Sequence, residues 1–114
     1  MLNNEEKIFP YKPTRKVVIM GGSTAWVKEM KRLLPSVEIV QTNSNGSFKN
    51  IISQADVVWI NTWISHNHQD KILKETRKQK KVTLFFKFKG CKKCAEQIYN
   101  FDTFGTYENY LLRE

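Results

Sequence analysis

The stretch that decides the fold is residues 16–24, KVVIMGGST, an apolar β-branched run followed at once by two glycines and two hydroxyl residues. The next residues, 23–34 (STAWVKEMKRLL), have helical spacing. That spacing predicts a helix whose apolar face is formed by Trp26, Met30, Leu33 and Leu34. Pro35 is expected to end this helix, so the stretch predicts a strand, a tight turn and a helix.

The same alternation continues along the chain. Three further apolar runs, residues 37–40 (VEIV), 57–60 (VVWI) and 81–88 (KVTLFFKF), predict strands. Helical segments are expected at 48–55, at 69–79 after a polar loop, and from residue 91 onward. Because continuous apolar strands are typical of a parallel sheet covered on both faces, we expect a three-layer α/β domain, Rossmann-like or flavodoxin-like, with about four parallel strands.

The length of 114 residues fits one domain. We expect an N-terminal arm at residues 1–15, which contains Pro10 and Pro13, and the α/β domain at 16–100. Residues 101–114 form a C-terminal tail that could make a short helix, with Tyr107, Tyr110 and Leu111 facing inward or toward a partner.

The composition excludes several classes of protein. The chain is 40% hydrophobic with 14 aromatic residues, typical of a folded globule. No run approaches the roughly 18 consecutive apolar residues of a membrane span, and the N-terminus has no apolar signal core. We therefore expect a cytoplasmic protein that does not engage a membrane, whose two cysteines are thiols or ligands rather than a structural disulfide.

Most of the net charge of +8 lies in one segment. Between Lys71 and Lys93 there are ten Lys or Arg residues against one acid, Glu75, which gives this segment +9. Such a concentration favours an anionic partner, whether nucleic acid, a phosphorylated ligand or an acidic protein. A solvated basic face without a ligand is the alternative.

In open parallel sheets, ligands bind beyond the carboxyl ends of the strands. The sequence places three groups of candidate ligand-binding residues there: Gly21, Gly22, Ser23 and Thr24 after the first strand, Asn61, Thr62, Ser65 and His66 after the third, and Lys87, Lys89, Lys92 and Lys93 after the fourth. We expect all of them at one edge of the sheet.

The glycine turn has the outline of a phosphate cradle, in which Ser23 or Thr24 caps a helix whose free N–H groups face the ligand. It is neither a dinucleotide fingerprint, which needs glycines where Ser23 and Trp26 stand, nor a P-loop. The alternative is that the glycines only permit a tight turn.

Two further motifs could carry metal or redox chemistry. His66 and His68, together with Cys91 and Cys94, predict a two-His, two-Cys zinc set if their loops meet. Alternatively, the Cys-x-x-Cys pair is a redox dithiol whose pKa is lowered by Lys92, Lys93 and a helix N-terminus. Two incidental thiols are the third alternative. For a catalytic role, His66 and His68 are the candidate general bases.

Four basic residues in and just after the predicted helix at 69–79 recur with helical spacing. Lys74, Arg77, Lys78 and Lys81 are expected to form a stripe on one helix face, a candidate nucleic-acid patch. Lys87 and Lys89 should lie on one side of the following strand and extend this surface. Phe85, Phe86 and Phe88 alternate with these lysines, as base-stacking platforms or, more commonly, as core aromatics.

Residues 17–35 (VVIMGGSTAWVKEMKRLLP) and 55–68 (ADVVWINTWISHNH), with the helix, strand and glycine that follow, resemble a family of small bacterial proteins, domain of unknown function 2325. The resemblance covers about residues 16–98, and its most specific parts are Gly21-Gly22 and Ser65-His66. It implies a Rossmann-like cytosolic bacterial domain, without an established substrate or catalytic residues. The dense lysines and the Cys-x-x-Cys pair indicate a specialised member.

The leading hypothesis is a non-enzymatic, regulatory binding module that engages nucleic acid or a phosphorylated ligand through the basic edge. One alternative is a zinc or thiol-redox sensor or enzyme. Another is an adaptor or inhibitor, from a mobile element, that contacts an acidic protein. Because small α/β domains often pair, a homodimer is expected.

Overall fold

A computed structural model describes residues 8–41, 48–62 and 64–105 of the chain. These residues form one sheet with helices on both faces. In chain order, the elements are β1 (Val17–Met20), α1 (Thr24–Leu33), β2 (Glu38–Val40), α2 (Lys49–Ser53), β3 (Val57–Ile60), α3 (His66–Lys78), β4 (Val82–Phe85) and α4 (Cys91–Phe104).

The sheet has four parallel strands in the order β2-β1-β3-β4. In its centre, Ile19 lies opposite Ile39 on one side and Trp59 on the other, and Trp59 in turn lies opposite Leu84. The prediction of a three-layer α/β domain with about four parallel strands is confirmed. This order makes the point between β1 and β3 the place where successive connections change direction.

Strand residues alternate between two hydrophobic clusters, one on each face of the sheet. Ile19 and Trp59 point to the face covered by α1 and α4, where Met30 and Ile98 pack. The neighbouring residues of each strand point to the other face, where α2 and α3 contribute Ile52 and Ile72. Every residue of β1 and β3 is buried, as expected for central strands covered on both faces.

Helix α1 matches its prediction. Trp26, Met30 and Leu33 form its buried face, Leu34 follows as a buried C-cap, and the helix ends before Pro35. The Ser23 side chain accepts a hydrogen bond from the backbone N–H of Trp26, which satisfies one of the N–H groups that a helix start leaves without a partner.

Helix α3 begins three residues earlier than predicted. The sequence predicts a loop through Gln69, but the helix starts at His66 with Ser65 as its N-cap. The Ser65 hydroxyl accepts from the N–H of His68, so the polar residues His66 to His68 form a first helical turn. This turn contains no apolar residue, so the spacing of apolar residues could not predict that it is helical.

Strand β4 is shorter than predicted and α4 is longer. The ladder with β3 ends just beyond Phe85, where the N–H of Phe86 donates to the carbonyl of Ile60. Residues 87–90 therefore form a loop rather than a strand end, and α4 continues to Phe104, past the predicted domain boundary at residue 100. Among the described residues, no helix is long and apolar enough to cross a membrane.

The described part of the predicted N-terminal arm packs on the domain. The N–H of Tyr11 donates to the carbonyl of Leu33, and the Phe9–Pro10 peptide is cis. Asp102 on α4 accepts hydrogen bonds from the hydroxyl of Tyr11 and from the N–H and hydroxyl of Thr14. Residues 1–7 and 106–114 lie outside the described residues, and with them Tyr107, Tyr110 and Leu111.

Candidate functional site

The first part of the candidate site is the glycine turn between β1 and α1. Gly21 and Gly22 have φ values of +97° and +142°, which side chains rarely adopt. A Cβ on Gly21 would lie 2.5 Å from the Cγ2 atom of Ile64, and one on Gly22 would lie 2.7 Å from the ring of Trp26. The two glycines are thus required by backbone conformation and by close packing, which supports the tight-turn interpretation independently of any ligand.

Buried and half-buried amides hold this turn in place. The side-chain amide of Asn61, fully buried at the end of β3, donates to the carbonyl of Gly21 at 2.8 Å. Gln41, which follows β2, donates to the carbonyl of Gly22 at 3.2 Å. Asn61 was a predicted ligand-binding residue, but its amide serves to orient the turn.

The second part is the connection from β3 to α3, which lies beside the glycine turn because Ile64 contacts Gly21. Thr62, Ser65 and His66 are exposed here, as expected for the carboxyl edge of the sheet. The ring Nδ1 of His68 lies 2.9 Å from the Ser65 hydroxyl. This contact orients the imidazole along the first turn of the helix.

The third part is residues 87–93, called the lysine loop here, which comprise the connection from β4 to α4 and the first three residues of α4. Lys87, Lys89, Lys92 and Lys93 are all exposed, and this segment contains no acidic residue. The structure therefore places all four predicted lysines at the carboxyl edge, where the N-termini of α1, α3 and α4 also lie. Positive ends of helix dipoles and ammonium groups reinforce each other there.

Three contacts from the domain interior hold the backbone of the lysine loop. The N–H of Lys87 donates to the side-chain oxygen of Gln97 at 2.9 Å, and the carbonyl of Phe88 accepts from the Cys94 thiol at 3.1 Å. The carbonyl of Lys89 accepts from the indole Nε1 of Trp26 at 2.9 Å. Because these backbone groups are bonded to buried side chains, the loop projects its own side chains outward.

The cysteines are part of this support. Cys94 is fully buried, and burial together with the neighbouring Cys91 raises the pKa of its thiol to about 12. Burial and then the charge of Glu29 also raise the pKa of Cys91, whose thiol donates to the carbonyl of Trp26 at 3.3 Å. Both pKa values are thus raised, contrary to the prediction that lysines and a helix N-terminus would lower them, because burial disfavours the thiolate.

The structure also does not bring the predicted zinc set together. Helix α3 packs on one face of the sheet and α4 on the other, so the turn with His66 and His68 and the turn with Cys91 and Cys94 belong to opposite layers. Across residues 8–41, 48–62 and 64–105, no group of three or more His, Cys, Asp or Glu side chains is placed to hold a metal ion.

The basic stripe of α3 does not join the lysine loop. Helix α3 starts at the carboxyl edge and returns to the opposite, amino edge over 13 residues, about 20 Å. Lys78 and Lys81 lie at its far end, where the ammonium group of Lys81 donates to the carbonyl of Ser53. Lys74 and Arg77 are exposed between the two edges, so the expected single electropositive surface is divided.

A basic hollow of about 410 Å³ lies at the amino edge, where its lining includes Lys12, Lys16 and Asp56. The carboxylate of Asp56 accepts from the backbone N–H of Lys16 at 2.8 Å. The adjacent Arg15 pairs with Asp102 at 3.8 Å. Acidic groups therefore accompany the basic residues of this hollow.

The residues that sequence reasoning missed are those that support the loop. Trp26 was assigned only to the buried face of α1, yet its ring nitrogen reaches residue 89. Gln97, 8% exposed, is not among the residues that the sequence analysis singles out. A glutamine on the buried face of α4 indicates a structural contact, because a buried amide requires a hydrogen-bond partner.

Comparison with protein-family models, with curated proteins and with solved structures finds no match to this chain. The resemblance to domain of unknown function 2325 remains a prediction from the sequence.

Proposed function

We propose that this domain is a non-enzymatic binding module that engages a phosphate-bearing polyanion, with nucleic acid as its ligand class, at the carboxyl edge of its sheet. The observation that carries the proposal is the lysine loop. It presents four exposed lysines on a backbone held by Gln97, Cys94 and Trp26.

The position of the loop adds to its charge. Trp26 belongs to the first turn of α1 and contacts both Gly22 and Lys89, so it connects the glycine turn with the lysine loop. Two helix N-termini, those of α1 and α4, thus lie side by side next to the lysines. Backbone N–H groups at helix starts bind phosphate oxygens, and lysines supply the salt-dependent attraction.

The held backbone reduces the entropic cost of binding. A loop that is already ordered loses less conformational freedom when its ligand binds than a loop that must first become ordered. Both thiols donate to backbone carbonyls, so neither cysteine is presented to solvent as a nucleophile. The wider biological role, regulation in a bacterial cytoplasm, rests on the sequence alone.

Fluorescence anisotropy with labelled oligonucleotides, in reductant and at increasing salt, tests the proposal. We expect the logarithm of the affinity to fall linearly with the logarithm of the salt concentration. The double variant Lys89→Glu with Lys92→Glu should bind at least about tenfold more weakly at 0.1 M salt and show a shallower salt dependence.

The matched control is Lys74→Glu with Lys78→Glu, which makes the same change in charge on α3, away from the lysine loop. We expect it to retain most of the affinity. Absence of binding at low salt, or equal losses in the two double variants, would show that the loop is only solvated surface.

A further inference from the structure

We propose that the polyanion is single-stranded nucleic acid and that Phe88 is the platform on which one of its bases stacks. This inference rests on the proposed function and names the ligand more narrowly. It starts from the different exposure of Phe85, Phe86 and Phe88, which the sequence pattern does not distinguish.

Phe86 belongs to the interior, and Phe85 is partly buried against it. The Phe86 ring is 1% exposed and stacks on Trp59, with 4.9 Å between ring centroids. Phe85 packs against the cluster on the opposite face of the sheet. Phe88 is 44% exposed, although burying a phenylalanine side chain would stabilise the fold by about 1.5–3 kcal/mol.

The lysine loop holds Phe88 outward. Its carbonyl accepts from Cys94, and the backbone groups of its two neighbours are bonded to Gln97 and Trp26. With bonds to the domain at three successive residues, the loop cannot easily turn the Phe88 ring into the core. A single exposed apolar residue is common on protein surfaces, but one held outward between lysines is a specific arrangement.

Positive charge surrounds the ring. The ammonium group of Lys93 lies 5.3 Å from the Phe88 ring centroid, within the range of a cation–π contact. Lys87 and Lys89, the two sequence neighbours of Phe88, are exposed. A nucleotide whose base stacks on this ring would therefore have ammonium groups close to its phosphates, which is how proteins bind single strands without reading sequence.

Duplex DNA and acidic proteins fit this surface less well. Bases in a duplex already stack on each other, so an exposed aromatic ring gains little from them. Helix α4 packs along its length on the sheet through Cys94, Ile98 and Phe101, so it does not project as a helix or a β-ribbon into a groove. Charged residues are depleted from the cores of protein interfaces, whereas four of the seven residues of this loop are lysines.

The test compares labelled single strands, abasic strands with the same number of phosphates, and duplexes, for the unmodified protein and for Phe88→Leu. Leucine keeps the apolar volume but removes the aromatic face. The control variant is Phe104→Leu, which changes the other exposed phenylalanine, 72% exposed at the far end of α4.

We expect the unmodified protein to prefer the single strand over the abasic strand and over the duplex. Phe88→Leu should lose between about fivefold and about a hundredfold in affinity for the single strand and little for the abasic strand. Phe104→Leu should bind like the unmodified protein.

Several outcomes would overturn the inference while leaving the proposed function in place. These are equal binding of single and abasic strands, a preference for duplex, or equal behaviour of the two leucine variants. If poly-glutamate displaces the oligonucleotide when both carry the same concentration of negative charges, the loop recognises charge alone. No binding to any polyanion at low salt would reject both proposals.

Discussion

The indole nitrogen of Trp26 donates a hydrogen bond to the carbonyl oxygen of Lys89, 2.9 Å away and 63 residues later in the chain. The same tryptophan accepts, through its own carbonyl, from the thiol of Cys91. These two contacts attach the lysine loop to the first turn of α1. Together with the hydrogen bond from the Cys94 thiol to the carbonyl of Phe88, they give both cysteines a structural role, since each thiol donates to a backbone carbonyl.

The first prediction concerns this contact. Trp26→Phe keeps an aromatic ring in the core but removes the donor to Lys89, so we expect a loss of about 1 kcal/mol in the free energy of unfolding. Amide hydrogen exchange within the lysine loop should become faster. Urea denaturation measures the first effect, and Phe88→Leu, a change at an exposed ring, serves as the control that should leave stability nearly unchanged. Unaltered exchange in Trp26→Phe would mean that the other contacts suffice to hold the loop.

The second prediction concerns the glycine turn. Gly21→Ala and Gly22→Ala each place a Cβ within 2.7 Å of a side-chain carbon, at a positive φ. We expect each to destabilise the fold by about 1–3 kcal/mol. Gly90→Ala is the matched control, because Gly90 has φ −70° and nothing within 4 Å of its Cβ position. It should be neutral or stabilise by up to about 1 kcal/mol. Similar losses at all three glycines would contradict the steric argument.

The third prediction concerns Asp102, whose side chain is 3% exposed. Burial opposes its charge, but hydrogen bonds from Tyr11 and Thr14 outweigh burial and lower its pKa below the ordinary value of 3.8. Because the folded pKa is the lower one, the stabilisation is present above pH 3.8 and is lost as the pH falls through the folded pKa.

Asp102→Asn should therefore reduce the free energy of unfolding at pH 7 by about 1–3 kcal/mol. It should also flatten the fall in stability below pH 4, measured by urea denaturation at several pH values. Asp70→Asn, which removes the same charge at an exposed position of α3, is the control for the change in net charge. If stability below pH 4 falls as steeply in Asp102→Asn as in the unmodified protein, Asp102 does not contribute to the pH dependence of stability.

The fourth prediction concerns thiol reactivity. With its pKa raised from 9.0 to about 12, Cys94 in the folded protein carries roughly a thousandfold less thiolate at pH 8 than a free thiol. Iodoacetamide should label Cys94 far more slowly in the native protein than in urea. The measurement uses the Cys91→Ala variant, in which Cys94 is the remaining cysteine. Because the folded pKa is the higher one, the thiol contributes its full stability below pH 9 and loses it as the pH rises toward 12. Rapid native labelling of Cys94 would restore the redox interpretation.

Local structure was largely predictable from the sequence. The order of strands and helices followed from apolar runs and helical spacing, and Ser23 acts as the predicted cap. The start of α3 was missed although Ser65 is a typical N-cap residue, because the first turn that follows it is polar. Of the site residues, the lysines were placed at the correct edge, since all strands of a parallel sheet end at the same edge.

The sequence by itself determined the glycine turn, the buried faces of the helices and the concentration of charge between Lys71 and Lys93, because these depend on residues close together in the chain. Only the tertiary structure decided the strand order. The chain passes from β1 to β2 in one direction and then returns past β1 to β3 and β4.

Because crossovers between parallel strands are right-handed, this reversal puts α2 and α3 on the face opposite α1. Helix α4 follows the edge strand back to the face of α1, so the histidines of α3 and the cysteines of α4 belong to opposite layers. Long-range hydrogen bonds to the backbone around Phe88 leave its ring exposed, while Phe86 is buried. The spacing of residues along the sequence does not predict these contacts, because residues far apart in the chain become neighbours only through the strand order.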